Sequence, residues 1–116
     1  MKARVTKAYE RPYENPIAVP AGAQVDPDFE RPTDIAGWVW CTGADGRSGW
    51  APRGWLAKQS DRWHLERDFN AIELTITPGE ILKIEFEESG FYWASRESGE
   101  HGWVPCDHVA PVQGTD

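Results

Sequence analysis

A four-residue pattern occurs twice in this chain of 116 residues, and this internal repeat limits the fold more than any other feature. Gly49-Trp50-Ala51-Pro52 returns 53 residues later as Gly102-Trp103-Val104-Pro105. Further upstream, segment 17–22 matches segment 74–79 at an offset of 57 residues. Offsets that change only between matched segments indicate one fold used twice, with connecting loops of different length. The chain is therefore expected to contain two copies of one small unit.

The repeat predicts a first domain at residues 1–58 and a second at residues 62–113, joined by a short linker. Domains of about 55 residues bury only roughly 60% of their unfolded surface and are marginally stable alone. Seven Trp, three Tyr and four Phe give this short chain a large apolar area to bury.

Short segments of β-branched and aromatic residues, separated by Gly, Pro, Asn and Asp, predict an all-β fold. In the second copy, alternating residues predict strands at 73–77 and 82–87, followed by strands at 91–95 and 102–105. Pro105 should end its strand, a short 3₁₀ turn should follow at 106–108, and an edge strand at 109–111 should close the unit. Five short strands in this pattern predict a small, strongly bent barrel in each copy.

The order of these motifs resembles that of SH3 domains, and the resemblance covers nearly the whole chain twice. The ALYDY-like segments are 5–9 and 65–69, and the WW-like pairs are Val39-Trp40 and Tyr92-Trp93. The Gly-aromatic-x-Pro segments follow, each leading into a turn that ends at Trp55 or His108. The chain is also similar to small bacterial proteins made of two variant SH3 domains, which share the Trp-x-Trp-Cys sequence of residues 38–41.

The resemblance implies a groove of aromatic residues that binds proline-rich peptides, because a polyproline helix presents preformed apolar ridges. The candidate groove residues of the first copy are Tyr9, Tyr13, Trp38, Trp50, Pro52 and Trp55. In the second copy, Phe69 is the candidate from the ALYDY-like segment. The remaining candidates, in the second copy, are Tyr92, Trp103 and Pro105.

Both grooves depart from the family pattern, because Lys7 and Arg67 replace tyrosines and Val39 replaces a tryptophan. High affinity for ordinary PxxP peptides is therefore not expected. The first copy keeps a first loop of normal length and has Trp55 as the last aromatic, whereas the second has a shortened loop and His108. If either groove binds a ligand, it is expected to be that of the first copy, with Trp55 exposed to the ligand; the alternative is that Trp55 is a packing residue.

The net charge of the chain restricts the kinds of molecule that it is expected to bind. The net charge is −7, shared as +1 in residues 1–58 and −8 in residues 59–116. Nucleic acid is a poor partner, because binding it depends on cations that neutralise phosphates. A protein or peptide ligand is expected, proline-rich or basic. No apolar segment suggests a signal peptide or a membrane span, which favours a cytoplasmic protein without a membrane partner.

Cys41 and Cys106 occupy non-equivalent positions in the two copies, which favours free thiols. Cys106-Asp107-His108 resembles a small Cys/His site, but a zinc site needs four converging ligands. A barrel this small is filled by its own side chains and leaves no catalytic pocket. We therefore expect no metal, no cofactor and no enzymatic activity.

Two functional hypotheses follow. The first is a non-enzymatic binding module that recognises a peptide or a protein surface through its aromatic residues. The alternative is a structural or accessory subunit whose aromatic surface is buried in a homodimer or against an enzyme. An aromatic cage for methylated lysine or arginine is a third interpretation.

Overall fold

A computed structural model describes residues 1–33 and 35–112 of the chain. Gln113, the predicted end of the second domain, lies outside the described residues. The described part is all-β, with two three-residue 3₁₀ turns at Arg53–Trp55 and Cys106–His108. Its strands are β1 (Lys2–Val5), β2 (Ala18–Val19), β3 (Gln24–Asp28), β4 (Trp38–Gly43), β5 (Ser48–Pro52), β6 (Leu56–Gln59), β7 (Arg62–Leu65), β8 (Phe69–Asn70), β9 (Ile81–Glu88), β10 (Phe91–Ser95), β11 (His101–Pro105) and β12 (Val109–Pro111).

The chain divides into two compact units, and one of them is built from both ends of the sequence. This terminal unit contains Met1–Pro12 and Glu73–Asp116. Its five strands form an antiparallel sheet in the order β11-β10-β9-β1-β12. β1 lies between two strands of the second sequence copy, with Ala3 opposite Leu82 on one side and Pro111 on the other.

The other, central unit is the continuous segment Tyr13–Ile72. Its main sheet is also antiparallel and five-stranded, in the order β5-β4-β3-β7-β6, and β2 pairs separately with β8. β7 comes from the second sequence copy, yet it pairs with β3 and β6 of the first.

The two copies have therefore exchanged their first strands. Equivalent hydrogen bonds show the symmetry of this exchange. The Gly79 amide donates to the Val5 carbonyl at 2.8 Å, and the Gly22 amide donates to the Leu65 carbonyl at 2.7 Å. Each bond joins the opening strand of one copy to a turn of the other.

This exchange corrects the domain boundaries predicted at 1–58 and 62–113. The predicted linker is instead the tight turn of a β-hairpin, in which Gln59 pairs with Arg62. A two-residue connection is typical of adjacent antiparallel strands, so it keeps β7 in the same sheet as β6. The chain passes between the units after Pro12 and after Ile72.

The strands 82–87, 91–95 and 102–105, the 3₁₀ turn and the final edge strand were predicted correctly from the sequence. The strand predicted at 73–77 is wrong. Leu74 and Ile76 are buried, as the alternation predicts, but this segment makes only isolated bridges, from Glu73 to Trp103 and from Ile76 to Tyr9. Neither five-stranded sheet closes into a barrel within the described residues.

The core of the terminal unit is formed by side chains from both exchanged parts. Buried residues of β1 pack with those of the second copy, and Tyr9 and Tyr92 cover the same cluster while remaining partly exposed. The buried members are Ala3, Val5, Leu74, Ile76, Leu82, Ile84, Ala94, Val104 and Val109. β1 contributes Ala3 and Val5 to this core, and burying a valine side chain stabilises the fold by about 1.5–3 kcal/mol.

Candidate functional site

In each unit, a proline directs the chain from a strand into a 3₁₀ turn that ends with a ring. Pro52 and Pro105 have extended backbone geometry, with φ of −62° and −63°, and end β5 and β11. The third residue of the following turn is Trp55 in the central unit and His108 in the terminal unit. Because proline has a fixed φ and no amide hydrogen, it is suited to ending the ladder at this point.

The exchanged segment supplies a second ring against each turn. In the terminal unit, Tyr9 meets His108 edge to face, with ring centroids 5.5 Å apart. In the central unit, Phe69 meets Trp55 in the same geometry at 5.7 Å. Tyr9 and Phe69 hold equivalent positions in the two ALYDY-like segments, so each segment contacts the turn of the opposite copy.

The Phe69–Trp55 pair of the central unit is buried. Phe69 is 4% exposed and Trp55 is 7% exposed, and Pro52 is fully buried between its neighbours. The Arg67 guanidinium lies 4.0 Å from the centre of the Trp55 ring. The expectation that Trp55 presents an open surface to a ligand is therefore wrong, and Trp55 is a packing residue here.

The terminal pair is more open. Tyr9, Tyr92 and His108 are all partly exposed, whereas Pro105 and Trp103 are buried. We call Tyr9, Tyr92 and His108 the terminal groove. Tyr92 interacts with the side chain of Cys106, which lies in the same 3₁₀ turn as His108. Tyr9 contacts His108 and Tyr92 contacts Cys106, so both tyrosines approach this turn.

Carboxylates border the terminal groove. The Tyr9 hydroxyl donates a hydrogen bond to Oε1 of Glu73. Burial raises the pKa of the Glu73 carboxyl, and this hydrogen bond partly offsets the increase. His108 Nδ1 lies 2.7 Å from Oδ1 of Asp107, and this hydrogen bond lowers the pKa of Asp107. The charge of Glu87 acts on Tyr92 and Cys106. The groove thus combines aromatic surface with three carboxylates, and the charge of Lys7 acts on Asp107 as well.

The Cys106 thiol lies beside this groove, and its chemistry is unfavourable for nucleophilic attack. Burial, followed by the charge of Glu87, raises the pKa of the thiol to about 11. The thiolate is the nucleophile of cysteine chemistry, so the protonated thiol is unreactive near neutral pH. Within the described residues, no three His, Cys, Asp or Glu side chains are grouped so that they could hold a metal ion.

The other predicted site residues lie elsewhere in the central unit. Trp50 is opposite Trp40 on β5 and β4, with ring centroids 5.2 Å apart, and Tyr13 packs against Trp40 with ring centroids 5.4 Å apart. Trp38 is 6% exposed and contributes to the core. The ten predicted residues are thus divided between the two units.

The sequence motifs did not predict four further residues of these surfaces: Trp40, Arg31, Phe29 and Glu73. Trp40 lies opposite Trp50 and faces outward, because it alternates with the buried Val39 and Cys41. Phe29 is 45% exposed and packs on Trp63 with ring centroids 5.1 Å apart. The useful signal was the alternation in β4, since Val39 and Cys41 are buried and the residue between them must point the other way.

No protein-family model, curated protein sequence or solved structure matches this chain. Within the part of the chain that the structure describes, there is no helix with the length and apolar character needed to cross a membrane.

Proposed function

We propose that this chain is a non-enzymatic peptide-binding module made of two SH3-like units, and that its ligand surface is the terminal groove. The observation that carries the proposal is the contrast between two equivalent ring pairs. Tyr9 and His108 are partly exposed, whereas Phe69 and Trp55 are buried at 4% and 7% exposure. Large, partly exposed aromatic residues are typical of binding surfaces.

The ligand class follows from the groove's composition. Flat aromatic side chains beside a buried proline suit an extended, proline-containing peptide. Glu73, Glu87 and Asp107 favour a basic residue in that peptide, because complementary charge orients an approaching ligand. A proline-rich segment with an arginine or lysine is therefore the proposed ligand.

The experiment is a titration of the intact protein with a proline-rich peptide that carries one arginine at an end. NMR chemical shifts monitor the binding. Tyr92→Ala should weaken binding by about tenfold or more, as expected for truncation of a central aromatic residue. Phe29→Ala removes an exposed aromatic residue of the central unit and should leave binding unchanged. Equal losses in both variants, or no binding by the unaltered protein, would contradict the proposal.

A second candidate function is favoured by the exposed rings of the central unit. Phe29 and Tyr13 are 45% and 37% exposed, respectively, and each packs on a tryptophan. Such a surface also suits a subunit that is buried in a homodimer or against an enzyme. Light scattering separates the candidates: a dimer that Phe29→Ala dissociates would favour the accessory subunit, and a monomer would favour the peptide-binding module.

A further inference from the structure

An aromatic site on the central unit already holds a guanidinium group. Trp40 and Trp50 form a cross-strand pair on the outer face of β4 and β5, and Tyr13 extends it beyond Trp40. The Arg31 guanidinium carbon lies 4.0 Å from the centre of the Trp40 ring and 5.7 Å from that of Trp50. We call Tyr13, Trp40 and Trp50 the cation site.

Arg31 reaches this site from the connection between β3 and β4, which has no counterpart of similar length in the second copy. The connection begins after Asp28 and ends before Trp38, whereas β9 and β10 are joined only by Ser89 and Gly90. A turn at Asp28 fixes its start. The Asp28 carbonyl accepts from the Arg31 amide at 3.3 Å, and the Asp28 carboxylate accepts from the Glu30 amide at 3.1 Å.

The surroundings of the cation site are negative. Asp28 lies directly opposite Trp40 on the neighbouring strand, and Asp26 lies opposite Thr42 on the same face. Both carboxylates are exposed. The central unit has six Lys/Arg against nine Asp/Glu, a net charge of −3. A cation placed over these rings is therefore favoured by the ring quadrupoles and by nearby carboxylates.

We propose that the cation site binds an arginine side chain of a partner protein, and that Arg31 is an internal occupant which the partner arginine replaces. Arg31 itself shows that the rings accept a guanidinium, and the carboxylates select a positively charged partner. The planar guanidinium stacks on indole rings more readily than a hydrated ammonium does, which favours arginine over lysine. Arg31 is exposed and reaches the site from a connecting segment, so it can leave without disrupting the sheet. This site contains none of the residues of the terminal groove, so the two proposals can fail independently.

The test uses the full-length protein and a blocked pentapeptide with a central arginine between glycines. Tryptophan fluorescence and NMR shifts of the Trp40 and Trp50 indole groups follow the titration. Arg31→Ala should bind the peptide at least about fivefold more tightly than the unaltered protein, because the competing occupant is gone. The same peptide with lysine in place of arginine should bind more weakly to Arg31→Ala.

Arg53→Ala is the matched control. It removes the same charge, but the Arg53 guanidinium lies over Phe29 at 4.7 Å, outside the cation site. Affinity that rises equally in both variants would reflect net charge alone and would overturn the proposal, as would no gain in Arg31→Ala.

A second substitution tests the rings themselves. In the Arg31→Ala background, Trp50→Leu should abolish binding of the arginine peptide while circular dichroism shows a folded protein. If Trp50→Leu unfolds the chain, Tyr13→Leu replaces it, because Tyr13 is 37% exposed and lies at the edge of the site. Retained affinity in the folded variant would overturn the proposal.

Discussion

Gly49 and Gly102 begin the repeated Gly-Trp-x-Pro motif, and neither has room for a side chain. A Cβ atom at Gly102 would lie 2.9 Å from the backbone carbon of Glu73 and from the amide nitrogen of Leu74. At Gly49 the nearest atoms belong to the side chains of Ala71 and Ile17, at 2.9 and 3.2 Å. The motif therefore begins with glycine because another segment of the same unit crosses directly over the strand.

The first prediction concerns these glycines. Gly102→Ala should lower the free energy of unfolding by about 2–3 kcal/mol, because backbone atoms cannot move aside cheaply. Gly49→Ala should also destabilise the protein, by about 1–3 kcal/mol, because the Ala71 Cβ is fixed to its backbone and only the Ile17 side chain can adjust. Gly54→Ala is the control, since no atom lies within 4 Å of a Cβ there. Urea denaturation measures all three, and equal costs at Gly54 and Gly102 would contradict the argument.

The second prediction concerns the thiol of Cys41, which is fully buried. Burial, followed by the charge of Asp26, raises its pKa from 9.0 to about 12. Between pH 9 and about 12, the Cys41 thiol keeps its proton in the folded state but has lost it in the unfolded state. The free energy of unfolding should therefore fall as pH rises through this range. Below pH 9 the stabilising effect is fully present.

Urea titrations across that pH window provide the measurement. Cys41→Ala should show a shallower decline in stability than the unaltered protein, whatever its stability at neutral pH. If the free energy of unfolding falls equally with pH in both proteins, a group other than Cys41 causes the loss of stability above pH 9.

At the scale of elements, the turn between β6 and β7 decides which sheet β7 joins. Gln59 and Arg62 pair across it, and Ser60 has a φ of 57°. Hairpin formation between adjacent strands needs little loop-closure entropy, so it competes well against pairing with a distant strand. Once β7 lies beside β6 and β3, the position beside β9 and β12 is left for β1.

The third prediction tests that turn. Ser60→Gly should raise the free energy of unfolding by about 0.5–1 kcal/mol, because glycine adopts the left-handed conformation without steric cost. Ser98→Gly is the matched control in another turn, where the serine does not have a positive φ. It should be neutral or slightly destabilising. Thermal denaturation of both variants measures the difference, and equal shifts would show that Ser60 is not strained.

Local sequence patterns predicted most strands of the second copy and the 3₁₀ turn at 106–108, because alternation and the position of proline act within a few residues. They did not predict the exchange, since β1 and β7 have equivalent patterns and either sheet could accept either strand. For the same reason, the sequence did not predict which candidate site residues contact one another. Tyr9 and Trp55 belong to one sequence copy, but pairing places Tyr9 against His108 and Trp55 against Phe69.

At the scale of the whole molecule, the exchange redistributes charge as well as strands. The sequence copies differ by nine charges, but the terminal unit has six Lys/Arg against ten Asp/Glu, a net −4, beside −3 in the central unit. The basic residues of the first twelve positions neutralise part of the acidic second copy. Attraction of a basic partner therefore depends on local carboxylates, not on an acidic half of the protein.

The last prediction concerns which fragments can fold. Residues 1–60 lack β7, and residues 61–116 lack β1, so each fragment would leave a gap within a five-stranded sheet. We expect neither to unfold cooperatively alone, and we expect the two to regain the NMR spectrum of the intact protein when mixed. Residues 13–72 contain every strand of the central unit and should fold by themselves, with the modest stability of a small domain.

The terminal unit can be tested in the same way by joining its two segments in reverse order. The Val112 amide donates to the Lys2 carbonyl at 2.9 Å, so a short glycine-rich loop from residue 112 to residue 1 can connect segment 73–112 to segment 1–12. This permuted chain should fold, because it keeps β1 between β9 and β12. Cooperative unfolding by residues 1–60 alone, together with a disordered 13–72 fragment, would instead support two consecutive domains. The reason for expecting the opposite is physical: removing a central strand exposes two rows of backbone hydrogen-bonding groups and the core side chains that the strand covered.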